Sequence, residues 1–188
     1  MVMKKVLLVN GSPHKNGNTA TILDFMEKVF HEKGITTDRF ELGSKPVRGC
    51  ISCRRCETVH RCAFHDDPCN ELIEKILDAD GVILGSPVYF AGPNGVLCAI
   101  LDRAFFAASN YGGLFAGKAG AAVVSVWREG GSAAIDRLNK YFTFAEMPVI
   151  SSNYWSVVLN SGSDEYGNAV VTKLAENMSR FLLEEPVR

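Results

Sequence analysis

The sequence predicts an α/β protein with a parallel sheet that is covered by helices on both faces. Two observations support this fold class. Residues 6–9 and 81–85 are short and almost wholly apolar, as expected of strands that are buried on both sides. Apolar residues at three- and four-residue spacing follow such runs, and strands that alternate with helices form parallel sheets with right-handed crossovers. Ligands of these sheets bind at the carboxyl ends of the strands.

The alternation continues along the chain, so we expect one domain over residues 1–188. The predicted strands comprise residues 6–9, 35–42, 81–85, 118–127 and 147–150. The first helix is predicted to end near Gly34, and further helices are predicted at 72–77, 96–107, 133–144 and 169–183. Residues 43–67 show little periodicity and contain four of the six cysteines. A loop of that length inside a compact domain is usually functional.

Nothing in the composition indicates nucleic acid or a membrane as a partner. The net charge is −1 over 188 residues, and no apolar run reaches the roughly 20 residues that cross a bilayer. Lys4 and Lys5 precede only four clean apolar residues before Asn10, which is too short a run for a cleavable signal. We therefore expect a cytoplasmic protein. In that reducing compartment, six cysteines indicate metal or redox chemistry in preference to structural disulfides.

The loop between the first strand and the first helix has the composition of a phosphate site. Residues 10–19 read Asn-Gly-Ser-Pro-His-Lys-Asn-Gly-Asn-Thr. Main-chain N–H groups at a helix N-terminus attract anions, and the side chains of Ser12, Asn18 and Thr19 add neutral donors. A Walker A loop would need Gly-Lys-Ser/Thr after Gly17, and a dinucleotide fingerprint would need three glycines. A monophosphate fits what remains, and an N-cap loop without a ligand is the alternative.

A second loop follows the third strand and brings two adjacent aromatic residues to the same edge. Residues 86–92 read Ser-Pro-Val-Tyr-Phe-Ala-Gly. Apolar walls and free main-chain groups together suit a flat heteroaromatic ring, although Tyr89 and Phe90 would also suit a core. After the fourth strand, Trp127 and Gly130 lie in a loop that supplies either contacts to the ring or only packing.

Four cysteines in residues 43–67 have the spacing C-x2-C-x2-C-x5-C. They are Cys50, Cys53, Cys56 and Cys62. Four thiolates this close can surround an iron–sulfur cluster or a zinc ion, and free or disulfide-paired thiols remain a third interpretation. The neighbouring arginines either neutralise a negatively charged cluster or form a basic surface. Cys69 and Cys98 fall in helices, where buried and unreactive cysteines are expected.

These three segments, in this order, resemble the NADPH-dependent FMN reductase and iron–sulfur flavoprotein group of flavodoxin-like proteins, over about residues 4–150. The resemblance implies a three-layer α/β/α sandwich with a five-stranded parallel sheet of order 2-1-3-4-5. It implies that the first loop binds the phosphate of FMN and that Pro87 to Phe90 and Gly92 line the isoalloxazine ring. The loop after the fourth strand adds Trp127 and Gly130 as candidates on its composition alone. The expected FMN-binding residues are Ser12, Pro13, Asn16, Gly17, Asn18, Thr19, Pro87, Val88, Tyr89, Phe90, Gly92, Trp127 and Gly130.

The same resemblance implies a 4Fe–4S cluster on the four cysteines, NAD(P)H as reductant and a homodimer or homotetramer. We expect an FMN-dependent enzyme that takes hydride from NAD(P)H and delivers electrons to a small-molecule or protein acceptor. An electron carrier between protein partners, without turnover of its own, is the alternative. No catalytic acid or base is named, because the flavin carries the redox chemistry itself.

Overall fold

The computed structural model describes residues 3–110, 112–160 and 163–184. Within them, six strands form one twisted α/β framework. The strands are β1 Lys5–Asn10, β2 Thr36–Glu41, β3 Gly81–Tyr89, β4 Gly92–Pro93, β5 Ala119–Val126 and β6 Val157–Leu159. Five of them pair in parallel in the order β2-β1-β3-β5-β6, while β4 pairs antiparallel with the end of β3. The predicted parallel sheet is therefore confirmed.

Helices cover both faces of the sheet. They are α1 Asn18–Glu32, α2 Cys56–Val59, α3 Cys69–Asp78, α4 Gly95–Phe105, α5 Gly131–Phe144 and α6 Glu165–Leu182, and a π-helical turn, Phe106–Asn110, extends α4. Helices α1 and α6 pack together on one face, whereas α3, α4 and α5 lie on the other. Among the described residues, no helix combines the length and the apolar character that a membrane crossing requires.

Strand β1 shows why the apolar run predicts a strand with two covered faces. Successive side chains of a strand point to opposite faces. Leu7 and Val9 accordingly join the core beneath α3, α4 and α5, while Val6 and Leu8 join the core beneath α1 and α6. All four side chains are fully buried.

The fifth parallel strand lies at residues 157–159, so its predicted position at 147–150 is wrong. Val149 forms only an isolated bridge with Gly120, through Ile150 N–H to Gly120 O at 2.8 Å and Gly120 N–H to Pro148 O at 2.9 Å. The chain then leaves the sheet and returns at Ser156, whose carbonyl accepts from Val124 N–H at 3.0 Å. The longer, regular ladder with the end of β5 belongs to β6.

The two outer strands of the sheet differ in length and charge. Strand β2 is six residues long and carries charged side chains that are held in ion pairs. Asp38 is 2.7 Å from Lys75 Nζ, and Arg39 Nη2 is 3.0 Å from Glu27 Oε2. Strand β6, at the opposite side, contains only three residues.

Candidate functional site

The first and third strands end side by side, and their loops are joined by one buried asparagine. Asn94 Nδ2 donates to the carbonyl of Gly11 at 2.7 Å, while Asn94 N–H donates to Ser86 Oγ at 2.9 Å. Asn94 also caps α4, because its Oδ1 accepts from Val96 N–H at 3.1 Å. The close approach requires glycine at position 11, where a Cβ would lie 2.7 Å from the carbonyl oxygen of Gly85. The two loops therefore form one rigid edge.

The N-terminus of α1 is open towards this edge. Its N-cap is Gly17, which offers no side-chain oxygen, and its first turn contains no acidic residue. Thr19 is 1% exposed, and its Oγ1 has no hydrogen-bond partner among the described residues. A buried hydroxyl without a partner is costly, so it marks a place where a ligand atom completes the bonding. The helix dipole favours an anion at the same place.

Two main-chain amides of the first loop are already committed within the protein. Ser12 N–H donates to Asn10 Oδ1, and His14 N–H donates to Ser12 Oγ, each at 3.1 Å. The Ser12 hydroxyl therefore accepts one bond and keeps its own proton for an anion. Further main-chain donors for an anion would therefore come from the later part of the loop.

The loop after β3 is a tight hairpin whose tip is held in an unusual backbone conformation. Val88 pairs with Pro93 and Tyr89 with Gly92, which leaves Phe90 and Ala91 as the two turn residues. Both have positive φ, 49° and 61°. Hairpin turns with two positive φ values favour Asn-Gly, so Phe-Ala is strained here. Strain of this kind concentrates at functional sites.

The aromatic residues of these loops do not belong to the core. Phe90 is fully exposed, Tyr89 is 47% exposed and Trp127 is 81% exposed. Gly130 brings the Trp127 loop against the hairpin, because its φ is 88° and a Cβ there would lie 2.5 Å from Ala91 Cα. The structure thus brings together the predicted residues of all three loops at one edge of the sheet.

The other predicted members of the set lie along the same loops. Pro13 and Gly17 are half-buried, whereas Asn16 and Asn18 are exposed at the start of α1. Pro87, Val88 and Gly92 are half-buried in the hairpin. Neutral donors at the helix and apolar surfaces at the hairpin match the two ends of a flavin mononucleotide, so the residues present fit this cofactor.

All four cysteines of the predicted metal motif line one small cavity beside the end of α4. Cys50 and Cys53 are exposed, Cys62 is half-buried and Cys56 is buried, and all carry free thiols. Burial raises the pKa of the Cys56 thiol, and the three neighbouring thiols raise it further. Among the described residues, no three metal-binding side chains are close enough together to hold a single metal ion. Four thiols around one cavity are a donor set that suits an iron–sulfur cluster or a zinc ion.

The remaining two cysteines lie outside this cavity. Cys69 is fully buried, and burial raises the pKa of its thiol to about 12. Cys98 is half-buried, and its thiol pKa is likewise raised by burial. Burial disfavours the thiolate form of both; Cys69 is buried as predicted, whereas Cys98 is only half-buried.

Arg103 is the main residue of this region that the sequence analysis missed. It lies in α4, is 2% exposed and pairs with Asp67 through both ends of its guanidinium group. Burial alone would raise the pKa of Asp67, but the hydrogen bonds and charge of Arg103 outweigh burial and hold that pKa below its usual value. A signal was present, because Arg103 interrupts the apolar helix face formed by Ile100 and Ala104. Asn94, which precedes a predicted helix, could have been recognised as its cap.

Two arginines of the motif pair with acidic residues. Arg54 Nε lies 3.5 Å from Glu57 Oε1, and Arg61 Nη2 lies 2.6 Å from Glu74 Oε1. Among the described residues, the arginine that donates to a cysteine sulfur is instead Arg103.

Comparison with known proteins identifies a matching family. Residues 4–161 match the family described as NADPH-dependent FMN reductase. The chain belongs to this family. The resemblance predicted this family and a flavodoxin-like sheet, and both predictions are confirmed. Membership places the chain among flavin-dependent oxidoreductases.

Relatives with curated names extend the comparison. An iron-sulfur flavoprotein of Methanocaldococcus jannaschii is 34% identical over 151 residues, which are 79% of this chain and 77% of that protein. An iron-sulfur flavoprotein of Archaeoglobus fulgidus is 30% identical over 188 residues, covering 93% of this chain and 95% of that protein. A flavodoxin, WrbA-like protein from Agrobacterium tumefaciens superposes with a TM-score of 0.69 at 11% identity, covering 98% of this chain and 100% of that chain. That last likeness supports the fold alone.

Proposed function

We propose that this FMN reductase family member binds FMN at the joined edge of β1, β3 and β5 and uses it to oxidise NAD(P)H. The observation that carries the proposal is the buried hydroxyl of Thr19, which lacks a partner among the described residues at the uncapped N-terminus of α1. A phosphate oxygen is the acceptor that this position requires.

The first loop would bind the phosphate through neutral donors. The hydroxyls of Ser12 and Thr19 and the amides at the start of α1 contribute hydrogen bonds, and the helix dipole adds attraction for the dianion. Asn16 and Asn18 lie at the exposed rim of the same loop. Glycine at position 17 leaves room beside His14, where a Cβ would come within 3.3 Å of the His14 Cβ.

The hairpin and the Trp127 loop would hold the ring. Bound FMN supplies the hydride and electron chemistry, and the protein supplies position and environment. The half-buried Pro87, Val88 and Gly92 give an apolar surface, and Asn94 keeps that surface at a constant distance from the phosphate loop. Tyr89 and Trp127 are exposed and free to cover a ring face.

We further propose that Cys50, Cys53, Cys56 and Cys62 hold a 4Fe–4S cluster that exchanges electrons with the flavin. Two observations support this assignment. All four side chains line one cavity, and curated relatives bear the name iron-sulfur flavoprotein.

Anaerobic purification followed by a visible spectrum and metal analysis tests both assignments. We expect flavin bands, about one FMN per chain and iron with acid-labile sulfide. A colourless protein that also refuses added FMN would contradict the flavin site, whereas bound zinc without iron would contradict the cluster alone.

The same preparation tests the reaction. Steady oxidation of NAD(P)H with a quinone, free flavin or ferric acceptor supports the enzyme. The cavity lined by four cysteines favours a second candidate, an electron carrier between protein partners. FMN-loaded protein without turnover of any small acceptor would favour that carrier.

We also propose that the chain assembles as a homodimer or homotetramer. Phe90 and Trp127 are exposed at the site of a single chain, and a second copy would cover them. Light scattering of the FMN-loaded protein measures the assembly, and a monomeric mass would contradict it.

A further inference from the structure

The guanidinium group of Arg103 uses all of its donors inside the protein. Nε and Nη2 each donate to Cys62 Sγ at 3.2 Å, and Nη2 also donates to Asp67 Oδ1 at 3.0 Å. Nη1 donates to Asp67 Oδ2 and, at 3.1 Å, to the carbonyl of Arg48. Arginine has five N–H donors, so these five bonds account for every one of them. The group is therefore fixed in both position and rotation.

Cys62 is fixed from its main chain as well. Cys62 N–H donates to Asn70 Oδ1 at 2.8 Å, and Asn70 Nδ2 donates back to the carbonyl of Cys62 at 3.1 Å. By contrast, Cys50 and Cys53 are exposed. One sulfur of the cavity is thus held in place by two hydrogen bonds and an anchored backbone, while the opposite side of the cavity is open.

We propose that Arg103 is a positioning residue that holds the Cys62 sulfur and raises the reduction potential of the iron–sulfur group on the four cysteines. This inference rests on the cluster assignment in the proposed function. Hydrogen bonds to a ligand sulfur stabilise the more electron-rich, reduced form of a cluster, and they are a main determinant of its potential. Two parallel N–H donors on one sulfur, from a buried cation, make Arg103 the strongest such group among the described residues at the cavity.

Arg103 also connects the cavity to the flavin loops through one rigid element. Helix α4 begins beside Asn94, which joins the loops after β1 and β3, and Arg103 lies nine residues further along it. At 1.5 Å per residue, the two positions are about 14 Å apart along the helix axis. A change at Arg103 therefore leaves the flavin loops in place unless α4 itself is displaced.

A purely structural Arg103 would anchor the loop of residues 43–67 and leave the potential unchanged. Arg103→Lys separates the two roles, because lysine keeps the charge beside Asp67 but cannot place two N–H groups on the sulfur. Arg61→Lys is the matched control, since Arg61 is adjacent to Cys62 in the chain yet pairs with Glu74 at the surface.

Full-length protein is purified anaerobically, and iron, FMN and the midpoint potential of the cluster are measured for each variant by spectroelectrochemistry. Arg103→Lys is expected to retain FMN and make reduction of the cluster about tenfold less favourable, which is about 59 mV more negative for a one-electron couple. Arg61→Lys is expected to match the wild type. Asp67→Asn removes a negative charge and leaves the guanidinium on Cys62, so its potential is expected to become more positive.

Each outcome decides the inference. An Arg103→Lys protein with full iron and an unchanged potential overturns the role of Arg103 while leaving the cluster assignment intact. If that variant does not fold, the double variant Arg103→Gln/Asp67→Asn removes both charges of the pair together with the guanidinium donors, and an unchanged potential in it overturns the role of Arg103 instead. Wild-type protein that takes up no iron and sulfide, but binds FMN, overturns the cluster assignment and this inference together, without touching the flavin site.

Discussion

Thr19→Val offers a direct test of the proposed phosphate site. It replaces one hydroxyl by a methyl group, and this change is expected to have opposite effects in the cofactor-free protein and in the FMN complex. Valine has nearly the same shape as threonine, so the packing of the side chain against Gly85 is retained. The lost atom is Oγ1, which is buried without a partner in the described structure. In the cofactor-free protein we therefore expect the substitution to stabilise, whereas in the FMN complex it removes a hydrogen bond.

The magnitudes follow from the burial of this hydroxyl. A buried hydroxyl without a partner costs about 1–3 kcal/mol, so Thr19→Val is expected to raise the free energy of unfolding of the apoprotein by about 1 kcal/mol. A hydrogen bond to a charged phosphate contributes about 1.5–3 kcal/mol, which corresponds to a loss of about 10- to 150-fold in FMN affinity. The two effects have opposite signs, and general damage to the fold cannot produce both.

Urea unfolding of the apoprotein and a flavin fluorescence titration measure the two quantities. Thr21→Val is the control, because Thr21 Oγ1 in the same helix already donates to the carbonyl of Gly17 at 3.4 Å. It is expected to leave FMN affinity within about twofold of wild type, a change of under about 0.5 kcal/mol. An apoprotein that Thr19→Val destabilises, together with unchanged FMN affinity, would refute the phosphate assignment.

Three further changes have defined outcomes. Cys53→Ser removes iron but spares FMN, because the cysteine cavity and the flavin loops are separate, and metal analysis beside the flavin spectrum measures this. Gly130→Ala lowers the free energy of unfolding by more than about 1–2 kcal/mol, because its φ is 88° and a Cβ would lie 2.5 Å from Ala91 Cα. Arg103 lowers the pKa of Asp67 in the folded protein below its value in the unfolded chain, although burial opposes this. The ion pair therefore stabilises the fold at pH values above the unfolded pKa. This stabilisation is lost as the pH falls through the lower, folded pKa. Urea midpoints measured down this acid range should decline less steeply in Asp67→Asn.

Controls for these changes are present in the chain. Cys98→Ser should keep its iron, because Cys98 does not line the cavity. Gly34→Ala isolates the backbone cost, since Gly34 has φ 73° and no atom lies within 4 Å of the position that a Cβ would occupy there. If Gly130→Ala and Gly34→Ala lower the free energy of unfolding equally, the close contact with Ala91 costs nothing and the prediction is wrong. Iron at full stoichiometry in Cys53→Ser would contradict the motif, and an acid decline unchanged in Asp67→Asn would contradict the role of the ion pair.

Apolar patterning predicted the sheet well where a strand is buried on both sides. Strands β1, β3 and β5 lie within a few residues of their predicted positions because an apolar run has few alternatives to such a strand. The pattern failed for the last strand. Residues 147–150 are apolar enough for a strand, yet only a bridge forms there, and β6 is too short for its periodicity to be distinctive.

The gathering of the three loops at one edge was predictable for a similar reason, since the carboxyl ends of parallel strands share that edge. The conformation of the hairpin was not, because Phe90 and Ala91 are residues that rarely adopt positive φ. Arg103 was also missed, since sequence spacing relates it to α4 alone. Its contacts with Cys62 and Asp67 span 41 and 36 positions of the chain, and only the folded arrangement reveals them.

The two outer strands determine how this sheet meets other molecules. A long, flat, uncharged outer strand offers unpaired N–H and C=O groups to a foreign strand and promotes aggregation. Here the outer strand β6 is only three residues long. The outer strand β2 carries Asp38 and Arg39, which form ion pairs with helices of the same molecule. An added strand would have to lie beside those charged side chains or pair with only three residues. Sheet extension from either border is thereby disfavoured, so crowded or concentrated solutions should not convert this fold into stacked β-ribbons.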